Sequence, residues 1–296
     1  MVMDLGSALA RTTGAEADSL RARDALVRED APDSVHQMRV SARRLRSVLQ
    51  VYAPLLAEAP RREVADTLRE LGRHLSVTRD AEVLRELLEQ RLDALPAPAA
   101  ELVSTPVVAR LRRTAGRRHA KARTELLRHL ATPDHAEDLD RVARYAQHPP
   151  LARGLTSADH ADAAATLTPF ALERMRDVRD DVADLLGRRG AEGRVLRLHE
   201  LRKEAKRVRY AVAAVEDATG LPLGHSVGAA LRDVERLQTA LGKHRDSVLL
   251  TDRLLRSAEQ ARAKGEDTLG YGVLIARELE LQRRLLRRIR RRHRDL

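Results

Sequence analysis

Apolar residues recur at intervals of three and four along almost the whole chain, the spacing that gathers them on one stripe of an α-helix. Ala, Leu, Arg and Glu dominate and β-branched residues are few, so local propensity agrees with the periodicity. The pattern predicts an all-α protein with helices over 4-29, 33-57, 61-76, 80-94, 106-130, 136-147, 168-188, 192-218, 225-242, 246-264 and 267-293. Breaks between them carry Pro32, Pro54, Pro60, Pro133 and the stretch LPAPAAELVSTP at 95-106. The longest break, QHPPLARGLTSADHADAAATLTP at 147-169, marks the expected boundary between two halves, 1-147 and 168-296, with a linker over 148-167.

The halves read as copies. HQMRVSARRLR at 36-46 is matched by HELRKEAKRVR at 199-209, so that His36/His199, Arg39/Arg202, Arg43/Lys206, Arg44/Arg207 and Arg46/Arg209 are each separated by the same interval. Further on, LGRHLSVTRD at 71-80 corresponds to LQTALGKHRD at 237-246, with Leu71/Leu237, Leu75/Leu241, Arg79/Arg245 and Asp80/Asp246 aligned. A duplicated helical pattern of this length predicts one domain made of two antiparallel, four-helix-type bundles related by a pseudo-twofold axis.

The repeated segments are amphipathic in an uncommon way. At about 100° per residue, His36, Arg39, Arg43 and Arg46 fall within an arc of roughly 80°, while Met38, Leu45, Val48, Leu49 and Tyr52 lie opposite. In the second copy His199, Arg202, Lys206 and Arg209 share one stripe, and Leu201, Ala205, Val208, Val212 and Val215 occupy the other. Glu200 and Glu204 lie off that stripe, and neither stripe contains a carboxylate. A solvated face normally interleaves both signs, because like charges three and four residues apart repel by a few tenths of a kcal/mol. Two same-sign stripes therefore call for an anion. Arg44, Lys203, Arg207 and Tyr210 complete the candidate set around the stripes.

Further basic rows occur in each half: Arg110, Arg113, Arg117, Lys121 and Arg128 in the first, and Arg277, Arg284, Arg288 and Arg291, interrupted by Glu280, in the second. One such row would be an ordinary solvated surface. Alongside the duplicated stripes, Arg113, Arg117, Lys121, Arg284 and Arg288 become candidates for the same anion site.

Composition narrows the partner. Lys plus Arg number 55 against 44 Asp plus Glu, a net charge of +11 that favours nucleic acid, an acidic membrane surface or another polyanion. GC-rich coding can set how many arginines there are, but it does not place them on one helical face. One Phe, four Tyr and no Trp leave almost nothing on which to stack unpaired bases, which counts against sequence-reading RNA or single-stranded DNA recognition. Cysteine is absent, excluding disulfides and Cys-based zinc or nucleophile sites. The start MVMDLGSALARTTG does not read as a signal peptide, and no apolar run approaches the ~20 residues of a membrane span; a cytoplasmic protein without a membrane role is expected.

The remaining motifs read as structural. His36 and His199 sit near helix starts and have no second ligand on their own stripes, so a hydrogen bond to phosphate, or the orientation of neighbours, is favoured over a metal. Asp80 and Asp246 each precede an apolar-periodic segment and are expected as helix N-caps. The HRD at 244-246 lacks the Gly-rich loop, the β3 lysine and the DFG of a kinase, and ALGKH at 240-244 lacks Walker A spacing. The acidic residues Asp134, Glu137, Asp138 and Asp140 beside His135 are expected to decorate a helix start.

The motifs His36-x-x-Arg39-x-x-x-Arg43-Arg44-Leu45-Arg46 and His199-x-x-Arg202-x-x-x-Lys206-Arg207-Val208-Arg209-Tyr210, with the Arg-Asp segments ending at Asp80 and Asp246, resemble the CHAD family, the conserved histidine α-helical domain. The resemblance runs from about residue 7 to the C-terminus. It implies two four-helix-bundle-like halves around a basic groove or pore that binds inorganic polyphosphate. The CYTH-type triphosphate tunnel domain fused to some members needs strands and an ExExK signature; Glu278-Leu279-Glu280 is followed by Leu281 and Gln282, so neither is present. The leading expectation is a non-enzymatic polyphosphate-binding protein, located on polyphosphate granules, with no cofactor or metal ion. A protein binding nucleic acid without sequence preference is the alternative, and an enzyme of polyphosphate or triphosphate metabolism a third.

Overall fold

The structure is a computed structural model that describes residues 3-187 and 194-293. Ten α-helices occur among the described residues: α1 Leu5–Arg28, α2 Ser34–Val51, α3 Glu58–Asp93, α4 Ala97–Glu101, α5 Thr105–Leu130, α6 Pro133–Gln147, α7 Ala163–Gly187, α8 Arg194–Thr219, α9 Gly224–Arg262 and α10 Leu269–His293. The all-α class expected from the periodicity is the observed one; the described residues hold only an isolated extended bridge, Leu56 with Leu151.

Several helix starts follow directly from the sequence. The Asp4 carboxylate accepts from the Ser7 backbone N–H at 3.0 Å and caps α1. Thr132 accepts from His135 N–H at 3.2 Å ahead of Pro133, the first residue of α6, where a missing N–H costs nothing. Asp162 accepts from Ala165 N–H at 3.0 Å, so α7 begins at Ala163, before Pro169 and inside the segment expected as linker.

The Arg-Asp motifs differ from expectation. The segments expected as separate helices at 61-76 and 80-94 are joined in one 36-residue helix, α3 Glu58–Asp93, and those expected at 225-242 and 246-264 in one 39-residue helix, α9 Gly224–Arg262. Asp80 and Asp246 lie inside these helices and are not their N-caps. In α3 the buried sequence Leu71, Leu75, Thr78, Ala81 carries the packed stripe through the motif without interruption. Arg79 pairs along the helix with Glu82 (3.1 Å) and Glu86 (3.3 Å).

The chain forms two compact units. One comprises Met1–Ser76 with Leu126–Val234, the other Val77–Glu125 with Glu235–Leu296. Each unit therefore draws on both sequence halves, and the unit boundaries fall within α3, α5 and α9 rather than at the segment 148-167. The core of the first unit includes Leu9, Leu20, Met38, Leu45, Leu49, Leu75, Leu126, Val208, Val212 and Val215. Each such side chain contributes on the order of 1.5–3 kcal/mol through burial. The second unit packs Leu88, Val107, Leu111, Leu250, Leu254, Tyr271 and Leu274. Gly270 lets α10 approach closely here: a Cβ at this position would lie 3.1 Å from the Val103 Cα.

Candidate anion-binding site

Both halves of the repeated motif lie in the first unit, on helices that pack directly against each other. α2 is in contact with both α1 and α8, and α8 also packs on α1 and α7. The apolar backs predicted from the sequence make these contacts: Met38, Leu45, Val48 and Leu49 of α2 and Ala205, Val208, Val212 and Val215 of α8 are all buried, whereas Leu201 is only half-buried. Burying the backs leaves the cationic side chains at the partly exposed edges of the same helices. His36, Arg39, Arg43, Arg46, Lys206 and Arg209 are each half-buried. The side chains of His199 and Arg202 lie outside the described residues.

Two observations show that the copies meet. The Arg43 guanidinium carbon of α2 lies 5.8 Å from the Tyr210 ring centroid of α8, and that of Arg209 lies 5.1 Å from the same ring. Both fall within cation–π range, so Tyr210 orients one guanidinium from each motif. Arg46 is held below the ordinary guanidinium pKa, first by burial and then by repulsion from Arg207, Arg43 and Arg69. The surroundings of Arg46 thus disfavour its own charge, the condition under which an incoming polyanion gains most.

Arg44 has a different role. It is paired with Glu16 of α1 (Nε to Oε1, 2.6 Å) and donates from Nη2 to Asp217 of α8 (2.7 Å). The Glu16 contact is an ion pair without good N–H alignment. Burial lowers the Arg44 pKa and these two carboxylates more than offset it, so the net shift is upward. Glu16 is itself buried, and desolvation raises its carboxyl pKa despite the opposing charge of Arg44. Arg44 therefore joins α1, α2 and α8 instead of standing open to an anion. Carboxylates also reach the flanks of the second stripe, which the helical wheel leaves free of them: Glu200 pairs with Lys203 at 2.8 Å, and Glu204 with Arg207 at 2.5 Å.

The other predicted cations are in the second unit. Arg113 and Arg117 line a cavity with Arg110. Lys121 is exposed and 3.9 Å from Glu125, Arg284 is exposed and 3.7 Å from Glu280, and Arg288 is exposed. Periodicity alone did not reveal Arg69, which adds to the charge around Arg46, nor Glu16 and Asp217, which fix Arg44. These partners lie on other helices at sequence distances that carry no local signal.

The acidic cluster decorates α6 as expected. Asp140 pairs with Arg21 (2.5 Å), Asp138 with Arg141 (2.5 Å), and the buried His135 donates from Nε2 to Asp24 (2.8 Å). Among the described residues no group of three or more His, Asp or Glu side chains is arranged to hold a metal ion. No described helix is long and apolar enough to cross a membrane.

The chain belongs to the CHAD domain family, whose model matches residues 12–255. Over 274 residues it is 34% identical to the uncharacterized protein MT2285 of Mycobacterium tuberculosis strain CDC 1551 / Oshkosh, and equally to the uncharacterized protein Rv2226 of strain ATCC 25618 / H37Rv. Each match covers 93% of this chain but 50% of the relative, so the chain spans about half the length of these relatives. Among solved structures, PptA from Streptomyces chartreusis superposes with a TM-score of 0.72 at 20% identity, covering 99% of this chain and 100% of that one. The CHAD domain from the plant Ricinus communis superposes at 0.66 and 23% identity, covering 95% and 87%. At these identities the two structures support the fold.

Proposed function

We propose that the protein binds inorganic polyphosphate on the cationic face shared by α2 and α8. The observation that carries this reading is the approach of Arg43 of α2 and Arg209 of α8 to the one Tyr210 ring, beside Arg46, whose charge is disfavoured by burial and by Arg207, Arg43 and Arg69. Polyphosphate is a flexible chain of charged groups without bases. Its recognition needs arrayed guanidinium and ammonium donors and no aromatic platforms. Arginine suits the task because its planar fork can donate two hydrogen bonds to one phosphate. A long polymer engages many such groups at once, so affinity rises with chain length through effective concentration.

The proposed role is binding rather than turnover, in the cytoplasm and on polyphosphate granules. Polyphosphate is preferred over nucleic acid because one Phe, four Tyr and no Trp supply little stacking surface, and Tyr210 is already engaged by two arginines. The test is a titration of long-chain polyphosphate, triphosphate, duplex DNA and RNA at matched phosphate concentration over several salt levels. Long polyphosphate should bind tightest, with affinity falling steeply as salt rises. Equal or tighter binding of DNA would refute the reading, and shortening of polyphosphate chains in the presence of Mg²⁺ or Mn²⁺ would replace binding by catalysis.

A further inference from the structure

We propose that the second unit carries its own pocket for a short condensed phosphate of the pyrophosphate or triphosphate class. This goes beyond polymer binding on the α2–α8 face and does not rest on it, since every residue involved belongs to the second unit. Arg110, Arg113 and Arg117, spaced three and four apart on α5, line one cavity of about 380 Å³ together with Gln260, Lys264 and Glu266. That volume lies at the lower end of the range of about 300–1,000 Å³ found for small-molecule sites. It has room for a few phosphate groups.

The charge of the lining is what selects the ligand. Four cations (Arg110, Arg113, Arg117, Lys264) face one carboxylate, Glu266, leaving 4 − 1 = +3 around the cavity. The C-terminal end of α9 opposes this with only about half an elementary charge. Arg113 and Arg117 are exposed, and three guanidinium forks along one wall can each grip separate phosphate oxygens. The polar lining includes Gln260 and Thr114 as neutral hydrogen-bonding partners.

The backbone fixes the opposite wall. Gly265 takes the left-handed conformation (φ +68°), its N–H donates to the Arg262 carbonyl at 3.0 Å, and the Glu266 N–H donates to the Ala261 carbonyl at 3.0 Å. This pair of bonds is a helix-terminating Schellman turn, and a side chain at position 265 would be strained there. It sets Lys264 and Glu266 on the cavity wall without needing a ligand. Glu266 forms an ion pair with Arg110, so a carboxylate already occupies part of the space an anion would take. Incoming phosphate competes with it, and Glu266 sets the threshold for binding.

The same chemistry exists free in solution and on a phosphorylated lipid headgroup; the proposal commits to the free anion. Isothermal titration of the full chain with sodium pyrophosphate at low salt should show one saturable site. Arg113→Glu with Arg117→Glu should weaken it at least tenfold, and Glu266→Gln should tighten it several-fold, a gain that misfolding cannot produce. Arg43→Glu with Lys206→Glu should leave pyrophosphate affinity within about twofold. The proposal is overturned if the wild type does not bind pyrophosphate, if the α5 reversal has no effect, or if only vesicles carrying a bisphosphorylated inositol lipid bind. A wild type that binds long-chain polyphosphate but not pyrophosphate would remove this pocket alone; one that binds pyrophosphate but not long-chain polyphosphate would remove the α2–α8 reading alone.

Discussion

Arg43 of α2 and Tyr210 of α8 are in cation–π contact at 5.8 Å, and Arg209 approaches the same ring to 5.1 Å. One aromatic residue thus couples the two copies of a motif that are far apart in the sequence. A single contact of this kind contributes roughly 0.5–1 kcal/mol when exposed and more when desolvated. Tyr210→Ala should therefore lower long-chain polyphosphate affinity about fivefold, by freeing the two guanidiniums to repel one another. Tyr210→Phe keeps the ring face and should bind nearly as the wild type. A titration calorimetry comparison of the two variants separates the role of the ring from that of the hydroxyl.

Arg44 and Arg43 are neighbours in sequence with opposite duties. Arg44 is tied to buried Glu16 and to Asp217, so Arg44→Leu should cost about 3 kcal/mol of stability by leaving Glu16 buried without its partner. Glu16→Leu combined with Arg44→Leu should recover most of that loss, since replacing both members of a buried pair is nearly neutral. Urea denaturation of the single and double variants measures both effects.

Acid should weaken the first unit before it touches the anion site. The imidazoles of His74 and His129 are stacked with centroids 3.8 Å apart, and His135 lies next to His129 at 5.4 Å. Both stacked histidines are held below the ordinary 6.5: His74 by burial, Arg73 and His135, and His129 by burial, His74 and His135, against the opposing charge of Asp138. Glu70 also approaches His74 at 3.4 Å. A histidine with a depressed folded pKa takes up its proton more readily when unfolded. Its contribution to stability is complete above about pH 6.5 and declines as the pH falls through the folded value. Denaturation midpoints at pH 7.5, 6.5 and 5.5 should fall in that order, and His129→Gln should flatten the trend. A wild-type midpoint that does not change between pH 7.5 and 5.5 would contradict this origin.

The continuity of α3 gives a sharp backbone prediction. Were Asp80 an N-cap, residue 81 would be the first helical position, where proline is harmless. In the middle of the 36-residue helix, Ala81→Pro should cost ~3 kcal/mol or more, because it removes a hydrogen bond and drives the ring into the preceding turn. Thermal unfolding followed by circular dichroism distinguishes the two.

Much of this architecture was legible in the chain. The spacing of Met38, Leu45, Val48 and Leu49, and of Val208, Val212 and Val215, identified the buried backs of α2 and α8, and by subtraction their cationic edges. The continuity of α3 and α9 was not legible, because an Asp ahead of an apolar run looks the same as a cap and as a mid-helix residue. Burial of Thr78 and Ser247 inside these helices is a matter of tertiary packing. The partners of Arg44 escaped for a related reason: Glu16 lies one helix earlier and Asp217 lies 173 residues away, and no period connects them. Likewise the repeat marked where the sequence is duplicated, while the compact units take segments from both copies.

The central claim is that α2 and α8 present one cationic face to a long phosphate polymer. The most direct test is the affinity of long-chain polyphosphate for the variant Arg43→Glu with Lys206→Glu, measured beside the wild type and with far-ultraviolet circular dichroism on both. The account predicts that most binding is lost, by at least tenfold, while the helical signal is unchanged. Affinity within a few-fold of wild type, on an equally helical protein, would contradict it.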